Sequence, residues 1–329
     1  MAILVLGGAG YIGSHAVHEL IEQNVKVVVM DNLETGHKKA IHPKAKFYKG
    51  DIRDRDQLVE VFNQEEIEGV LHFAASSLVW ESMIKPVKYF DNNVYGMMVL
   101  LDVMNQFNVK NIVFSSTAAT YGESDVVPIH EDVSTRPTNP YGESKRMMEQ
   151  IMKWCELAHG IKYVSLRYFN VAGAMRDGII GEDHDPETHL IPIVLETALG
   201  KRKHVTIFGC DYDTKDGTCI RDYVHVDDLI QAHILALQYL IAGNESTVFN
   251  LGSNEGYSVK EIIETAEIVT GKKIQTVLGD RRLGDPPILV ASSQKAKNIL
   301  GWEPKKSNIE QIIYDAWIWH SKNPNGYRE

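Results

Sequence analysis

The chain of 329 residues is 44% hydrophobic and 24% charged, and its 34 basic and 44 acidic side chains give a net charge of −10 at pH 7. This is the composition of a globular protein, long enough for one large domain or for a large domain with a smaller companion. The acidic balance, without a basic run, excludes nucleic acid and anionic membranes as expected partners. A small anionic ligand needs only a few converging arginines and backbone N–H groups, so it stays possible.

The cysteines, the histidines and the hydropathy pattern further limit the compartment, the membrane segments and the metal sites that can be expected. The three cysteines, Cys155, Cys210 and Cys219, form no CxxC motif, which predicts a reducing, cytoplasmic compartment without disulfides. Residues 1–6 are apolar but run straight into glycines with no basic region before them, so they predict a strand rather than a signal peptide. No apolar run approaches the ~20 residues of a membrane span. No pair among the 13 histidines has ligand spacing, so we expect no metal site.

Short β-branched runs alternate with longer helical patterns through the first half of the chain. Apolar strands that alternate with helices predict a parallel sheet covered on both faces. The predicted strands lie at residues 3–6, 25–30, 47–49, 69–73, 111–114 and 163–166. The predicted helices lie at residues 12–22, 56–62, from 86 to about 105, and 141–159.

The alternation stops after Asn170. Residues 173–222 are rich in Gly, Asp, Pro and Thr and have few periodic segments. Beyond them, the patterns predict helices at 227–240, 259–269, 294–300 and 308–320 and a strand at 248–251. We find no internal repeat and no low-complexity linker, so the second lobe is expected to be interwoven with the first.

Glycines follow the first predicted strand. Gly7, Gly10 and Gly13 form a G-x-x-G-x-x-G loop that opens the first predicted helix. Glycine lets the backbone turn tightly and approach a pyrophosphate, and the helix N-terminus offers free N–H groups. Asp31 closes the second strand, where a carboxylate can accept hydrogen bonds from ribose hydroxyls and repels a 2′-phosphate. A glycine turn in any α/β protein is the alternative, but the loop in this context predicts NAD rather than NADP.

The expected fold is therefore α/β: a Rossmann-type doubly wound parallel sheet with a smaller interwoven C-terminal substrate-binding lobe. We expect residues 1–172 plus 222–252 to form the NAD-binding domain and residues 173–221 plus 253–329 the second lobe. Asp51 and Ile52 follow the third strand and suit an adenine contact. Phe73 and Ala74 end the fourth strand and suit close backbone approach, because open sheets bind ligands at the carboxyl ends of their strands.

Hydroxyl groups and one Tyr–Lys pair supply candidate chemistry. Ser115 and Thr117 follow the strand at 111–114. They are therefore expected at the carboxyl edge of the sheet, where the cofactor loop also lies. Tyr141 and Lys145 share one face of a predicted helix, where an ammonium favours a phenolate and lowers a pKa that is otherwise near ~10. Spacing alone proves little, since a chain with 14 tyrosines and 23 lysines carries such a pair by chance. A surface tyrosine with a solvated lysine is the alternative.

Together these motifs resemble the extended short-chain dehydrogenase/reductase family and, within it, the UDP-glucose 4-epimerase family. The closer likeness is carried by residues 8–15, 31–33, 50–53, 114–122, 139–142, 167–170, 216–226 and 317–327. The resemblance implies reversible epimerisation of UDP-glucose and UDP-galactose at the sugar 4-carbon, through a 4-keto intermediate and tightly bound NAD. It also implies a homodimer, in which the helices after Pro86 and from Tyr141 pair across a two-fold axis.

The resemblance implies roles for individual residues. Thr117, Tyr141 and Lys145 are expected to be catalytic, with Tyr141 the base. The expected cofactor-binding residues are Gly7, Gly10, Tyr11, Ile12, Gly13, Asp31, Asn32, Asp51, Ile52, Phe73, Ala74, Asn92, Ser115, Tyr141, Lys145 and Tyr168. The expected substrate-binding residues are Thr117, Tyr141, Asn170, His189, Leu190, Phe208, Arg221, Arg282, Asp285 and Leu289.

The chain departs from the family pattern at three places. Ser77 stands where many members carry a cofactor-contacting Lys, and Thr188-His189 replaces paired asparagines. Leu289 is expected at the gate of the sugar pocket. In the family, a large aromatic residue there restricts the pocket to glucose and galactose, whereas a small one admits N-acetyl sugars. Leucine is intermediate in size. We therefore expect dominant glucose/galactose activity with some N-acetylhexosamine activity.

Three alternatives share parts of this pattern. A 4,6-dehydratase needs an acid/base pair directly after the Thr, where this chain has Ala118 and Ala119. A 4-epimerase of another UDP-sugar, an N-acetylhexosamine, glucuronate or pentose, is closer. An NAD-binding sensor without catalysis belongs to another class, and the intact Thr117, Tyr141 and Lys145 oppose it.

Overall fold

The computed structural model describes residues 1–282 and 286–328. Its strands are β1 (Ala2–Leu6), β2 (Val27–Asp31), β3 (Lys46–Lys49), β4 (Ile67–His72), β5 (Asn111–Thr117), β6 (Lys162–Tyr168), β7 (Asn170–Ala172), β8 (Val205–Phe208), β9 (Ile220–Arg221), β10 (Tyr223–His225), β11 (Thr247–Leu251), β12 (Tyr257–Ser258), β13 (Thr276–Gly279) and β14 (Ile288–Leu289). Its α-helices are α1 (Tyr11–Glu22), α2 (Arg55–Gln64), α3 (Val79–Ile84), α4 (Pro86–Tyr89), α5 (Gly96–Gln106), α6 (Pro140–His159), α7 (Leu190–Ala198), α8 (Val226–Ile241), α9 (Val259–Thr270), α10 (Gln294–Leu300) and α11 (Ile309–Lys322).

Seven parallel strands form the central sheet, in the order β11-β6-β5-β4-β1-β2-β3. The chain winds outward in one direction from β1 to β3 and in the other from β4 to β11. A crevice therefore opens at the carboxyl ends of β1 and β4, where the winding reverses. This is the predicted Rossmann-type doubly wound sheet, and the prediction is confirmed.

Helices cover both faces of the sheet, because its inner strands are apolar on both sides. All five residues of β1 and of β2 are buried. One apolar layer contains residues from α2, α5 and α6, including Leu58, Met97 and Met148. The opposite layer contains residues from α1 and α8, including Ala16 and Leu229.

The prediction of one continuous α-helix after Pro86 is wrong. Residues Phe90–Tyr95 adopt a π-helical turn between α4 and α5. The turn buries the Asn93 side chain completely. The Asn93 amide forms hydrogen bonds with Ser76 and Ser144, which accompany this departure from a regular α-helix. By contrast, α6 begins as the sequence predicts, with Pro140 in the first turn and the Asn139 side chain accepting from the Gly142 N–H at 2.9 Å.

Outside the central sheet the strands are short, and periodicity did not predict them. They pair as β10-β7, β12-β9-β14 and β13-β8. They have two to four residues each, too few for a strand pattern to register in the sequence. A third apolar cluster, with Leu195, Ile262 and Ile312, joins α7, α9 and α11. Within residues 1–282 and 286–328, no helix is long and apolar enough to cross a membrane.

Candidate active site

The glycine loop packs β1, β4 and α1 together at the sheet edge. Gly7 has φ +76°, and a Cβ there would lie 2.6 Å from the Ala74 backbone nitrogen. At Gly13, a Cβ would lie 2.1 Å from the Gly7 carbonyl oxygen. Any larger residue would force the loop apart. The N-cap of α1 is Gly10, which has no side chain to occupy the N–H groups of the first turn, so these are available to an anion.

Asp31 is held at the end of β2 by two backbone donors. Its Oδ2 accepts from the Ala9 N–H at 2.9 Å and its Oδ1 from the Leu33 N–H at 2.8 Å. Burial raises the pKa of this carboxyl, and the two donors oppose that rise. The Ala9 bond ties the carboxylate to the glycine loop, so the two features predicted from sequence lie side by side.

The neighbouring polar residues form a connected surface. The Asn32 side chain donates to Asp51 Oδ2 at 3.0 Å, and Arg53 donates to both Asp51 oxygens. The Arg53 hydrogen bonds hold the pKa of Asp51 well below its usual range. Ile52 points into the core, so only its backbone and that of its neighbours remain for a ligand. Ser77, where the family pattern has a lysine, is exposed.

Tyr141, Thr117 and Lys145 meet where β5 ends and α6 begins. The Thr117 side chain hydrogen-bonds the Tyr141 phenol. Lys145 Nζ donates to the Ser115 carbonyl at 2.7 Å and lies 6.0 Å from the centroid of the Tyr141 ring. The lysine is 3% exposed, which excludes the surface interpretation of the Tyr–Lys pair.

The protein's own groups do not lower the pKa of the Tyr141 phenol. Burial raises that pKa, and the hydrogen bond with Thr117 only partly offsets the rise. Burial also lowers the pKa of Lys145 to about 7, against the opposing effect of Glu149. The sequence analysis assigned a lowering of the phenol pKa to the lysine ammonium. In the structure, burial shifts both groups toward their neutral forms.

Several further residues support this corner. Tyr168, the last residue of β6, hydrogen-bonds the Ser115 side chain, and burial raises its pKa. Ser115 Oγ lies 3.0 Å from His233 Nε2, and the His233 ring packs 4.8 Å from that of Phe73. The sequence analysis did not single out His233, because a lone histidine in a helix carries no motif.

Asn93 is a buried residue beside the candidate site that the sequence analysis did not single out. The neighbouring Asn92 was predicted instead, and it donates to Asn93 Oδ1 at 3.0 Å. Asn93 Nδ2 donates to the Ser76 carbonyl at 3.1 Å and to Ser144 Oγ at 3.0 Å. Ser144 Oγ in turn donates to the Tyr141 carbonyl at 2.7 Å. The loop after β4 is thereby connected to the turn of α6 that carries the catalytic candidates.

The predicted substrate residues fall into separate groups. Asn170 Nδ2 donates to the Asp222 carbonyl at 3.0 Å, next to Arg221, and Leu289 pairs with Arg221 across β14 and β9. Elsewhere, the Arg282 guanidinium lies 4.0 Å above the Phe208 ring. Asp285 lies outside the described residues.

His189 and Leu190 begin α7, where His189 is the N-cap residue. His189 Nδ1 lies 2.7 Å from Glu182 Oε1. Burial alone would lower the pKa of His189, but Glu182 and Glu187 outweigh it and raise this pKa to about 10. No side-chain contact of His189 with the other predicted substrate residues is found in the described part of the chain.

Residues 3–252 match the sequence profile of the NAD dependent epimerase/dehydratase family. The chain belongs to this family. A UDP-glucose 4-epimerase of Lacticaseibacillus casei is 60% identical over 327 residues, which cover 99% of each chain. These findings confirm the membership that the motifs predicted.

Two solved structures of this epimerase/dehydratase family have the same fold over the full length. The crystal structure of a UDP-glucose 4-epimerase matches with a TM-score of 0.98 at 56% identity, covering 100% of both chains. That of the Bifidobacterium longum UDP-glucose 4-epimerase, in complex with NAD+ and UDP, matches with a TM-score of 0.93 at 39% identity. It covers 99% of this chain and 100% of that one.

Proposed function

We propose that this chain is an isomerase that interconverts UDP-glucose and UDP-galactose by inverting the sugar 4-carbon. The observation that carries the proposal is the buried Thr117–Tyr141–Lys145 corner, which lies at the same sheet edge as the glycine loop. The relatives that match over the full length are named for this reaction and favour it over the other UDP-sugars.

NAD is the cofactor, and the residues at the carboxyl edge of the sheet fit it. The free N–H groups at the start of α1 suit a pyrophosphate, and the Asp31 carboxylate suits ribose hydroxyls while disfavouring a 2′-phosphate. When bound, the nicotinamide accepts a hydride from the sugar and returns it. Binding is assigned to Gly7, Gly10, Tyr11, Ile12, Gly13, Asp31, Asn32, Asp51, Ile52, Phe73, Ala74, Asn92, Ser115, Tyr141, Lys145 and Tyr168.

Tyr141 moves the proton of the sugar 4-hydroxyl. It takes that proton directly or through Thr117, which already shares a hydrogen bond with the phenol. Lys145 holds its ammonium beside the phenol and stabilises the phenolate. An oxidised nicotinamide would supply a second positive charge, and Tyr141 needs one because burial has raised its pKa. Tyr141 then returns the proton after the 4-keto sugar has turned over.

The UDP end is held by the second lobe while the sugar turns. Asn170, Arg221 and Arg282 bind the diphosphate, since a planar guanidinium suits phosphate oxygens. Phe208 and Asp285 are the residues expected to recognise the uridine, with His189 and Leu190 as further substrate contacts. Leu289 limits the sugar pocket. Firm binding of the UDP group positions the sugar 4-carbon for reaction and still leaves the sugar free to turn.

The decisive experiment supplies UDP-galactose without added NAD. We expect UDP-glucose to appear and no NADH to accumulate, because the cofactor is regenerated in every cycle. A strict requirement for stoichiometric NAD would make the protein a dehydrogenase instead. Release of a 4-keto-6-deoxy sugar would make it a dehydratase, although Ala118 and Ala119 leave that elimination without an acid/base pair.

We also propose the predicted division into two lobes and a reducing compartment. All strands of the central sheet come from residues 1–172 and 222–252, which supports an NAD-binding domain there. The third apolar cluster draws mainly on residues 173–221 and 253–329, which supports a separate UDP-sugar lobe. The cysteines Cys155, Cys210 and Cys219 are free, as a cytoplasmic protein requires.

A homodimer is the proposed assembly. Large apolar side chains on α5 and α6 are exposed, among them Met98 (50%), Trp154 (67%) and Leu157 (69%). Exposed apolar area of this kind marks interaction sites. We expect Trp154→Arg to convert a dimer into a monomer, measured by light scattering after gel filtration. Ile268→Arg is the matched control, since Ile268 is 78% exposed on α9. A wild-type monomer would contradict the proposal.

A further inference from the structure

A compact group of metal-ligating side chains lies in the segment 181–189, which leads into α7. Glu182, His184, Glu187 and His189 each offer one ligand atom, and these atoms lie within 4.8 Å of one another. Both glutamate side chains are 4% exposed. Two adjacent buried carboxylates repel each other unless positive charge lies between them, and either protonated histidines or a bound cation can supply it. The sequence analysis considered pairs of histidines only, so the glutamates of this cluster escaped it.

Three nitrogen–oxygen distances within the cluster are close to the edge length of a coordination tetrahedron, with Glu187 facing the two histidines through different oxygens. His184 Nδ1 lies 3.3 Å from Glu182 Oε1 and 3.5 Å from Glu187 Oε2. His189 Nδ1 lies 3.4 Å from Glu187 Oε1 and 2.7 Å from Glu182 Oε1. Ligands bonded to a tetrahedral zinc ion at ~2.0–2.1 Å are roughly 3.3–3.4 Å apart. Three of the four distances are close to that separation and are long for charge-assisted hydrogen bonds.

The ring nitrogen of His184 is a second, independent indication. Its Nδ1 is buried and has no hydrogen bond of good geometry among the described residues, although it lies at ion-pair distance from one oxygen of each carboxylate. A buried polar atom without a well-formed hydrogen bond is uncommon in a folded protein. Glu187 is meanwhile oriented by the backbone, because its Oε1 accepts from the N–H groups of Thr188 at 2.6 Å and His189 at 2.8 Å. Such orienting bonds accompany metal-binding carboxylates.

We propose that Glu182, His184, Glu187 and His189 bind one Zn²⁺ ion in a tetrahedral N₂O₂ site. Two imidazole nitrogens disfavour Mg²⁺ and Ca²⁺, which take oxygen ligands, and two carboxylates balance the charge of a divalent ion. Four protein ligands leave no open position, so the ion is structural rather than catalytic.

The site joins distant parts of the chain. Trp319 Nε1 of α11 donates to the Glu182 carbonyl at 3.1 Å, and the Tyr327 N–H donates to Asp183 Oδ2 at 2.9 Å. His37, in the connection after β2, lies 3.1 Å from the Asp183 carbonyl through Nε2. A bound ion would therefore hold α11 and the loop after β2 against the start of α7.

The test measures zinc directly on the tag-free protein. The wild type is stripped with a chelator, equilibrated with ZnCl₂, desalted and analysed by elemental mass spectrometry. We expect about one zinc per chain in the wild type and a loss of most of it in His184→Ala and Glu187→Gln. His204→Ala, which removes an exposed histidine before β8, is the control and should keep the wild-type content. Wild-type protein without zinc, or equal zinc in all variants, would overturn the proposal.

Two further measurements guard against variants that fold poorly. Glu187→Gln keeps an oxygen for the Thr188 and His189 N–H groups, so its circular dichroism should match that of the wild type. Zinc should raise the melting temperature of the wild type and of His204→Ala but not that of Glu187→Gln. Cobalt should give the intense visible absorption of a tetrahedral complex. A weak octahedral spectrum, or displacement of zinc by excess Mg²⁺, would contradict the assigned geometry and ion.

Discussion

At Tyr141 two physical effects on one phenol oppose each other. Burial raises its pKa, whereas the hydrogen bond with Thr117 lowers it. The Lys145 ammonium is nearby but is itself destabilised by burial, which lowers its pKa to about 7. The phenolate form of this tyrosine therefore depends on every positive charge that the site assembles, and its chemistry should be sensitive to single substitutions.

Tyr141→Phe removes the hydroxyl and keeps the ring, which packs edge-to-face on Tyr89. We expect turnover of UDP-galactose to fall by about 10²–10⁴-fold, the usual contribution of a general base. The NAD content of the purified protein should not change, because the phenol is only one of many cofactor contacts. Tyr314→Phe, at a half-exposed position on α11, is the control. Undiminished turnover in Tyr141→Phe would contradict the assigned role.

Leu289→Tyr tests the sugar pocket. Leu289 is partly buried in β14, opposite Arg221 of β9. A larger side chain there should exclude an N-acetyl group, so the preference for UDP-galactose over UDP-N-acetylgalactosamine should rise by about 10-fold or more. Ile288→Tyr places the same side chain on the opposite face of the strand and should leave the ratio of kcat/KM values unchanged. Equal wild-type turnover of both sugars would contradict the predicted ranking.

Among the elements, the π-helical turn Phe90–Tyr95 has the most specific task. It presents Asn93 to the loop after β4 on one side and to Ser144 of α6 on the other. A regular helix through this stretch would change the direction of that side chain. Such turns recur at functional sites for this reason. The sequence predicts a helix here because its apolar spacing is helical on both sides of the turn.

Asn93→Ala should loosen the link between this turn and α6. The substitution leaves the Ser76 N–H and carbonyl without the Asn93 amide and removes the bond that Asn93 donates to Ser144 Oγ, which together cost about 2 kcal/mol of the free energy of unfolding. Turnover should fall as well, since Ser144 bonds the Tyr141 carbonyl. Asn63→Ala, at an exposed position on α2, controls for the loss of an amide. Urea unfolding of both variants measures the effect, and equal stabilities would show that Asn93 does not connect these elements.

At the scale of the whole molecule, the central sheet buries a histidine where a second ring proton, and with it a positive charge, is disfavoured. His72 ends β4 and is fully buried, and neither ring nitrogen has a hydrogen-bond partner among the described residues. Burial and the nearby Lys145 lower its pKa to about 3. The folded protein therefore keeps His72 neutral, whereas an unfolded chain protonates it below about pH 6.5.

The stability contributed by neutral His72 should be complete above about pH 6.5 and be lost as the pH falls toward 3. At pH 5 the loss is on the order of 2 kcal/mol, from ~1.4 kcal/mol per pH unit below 6.5. His72→Leu removes the titrating group, so its melting temperature relative to the wild type should be higher at pH 5 than at pH 8. His204→Leu, at an exposed position, should show no such difference. A pH-independent effect of His72→Leu would contradict the assigned pKa.

The sequence alone determined the parts of this protein whose geometry is local. Gly7, Gly10 and Gly13 lie in one turn, and Tyr141 and Lys145 in one helical turn, so spacing along the chain predicts how they are arranged. Apolar runs that alternate with helices likewise predicted the parallel sheet, because burial on both faces requires them. The start of α6 likewise followed from Pro140, whereas the left-handed conformation of Gly160 that ends the helix was seen only in the structure.

Only the tertiary structure decided the properties that depend on residues distant in sequence. The pKa values of Tyr141 and Lys145 follow from burial, which no spacing reveals. The contact of Asn93 with Ser144 spans 51 residues, and that of Arg282 with Phe208 brings a residue beyond β13 onto the end of β8. Short strands such as β9 and β14 form because the lobe folds around them, not because two residues prefer to be extended. Local geometry is encoded in the chain, whereas solvation and long-range contact arise only when it packs.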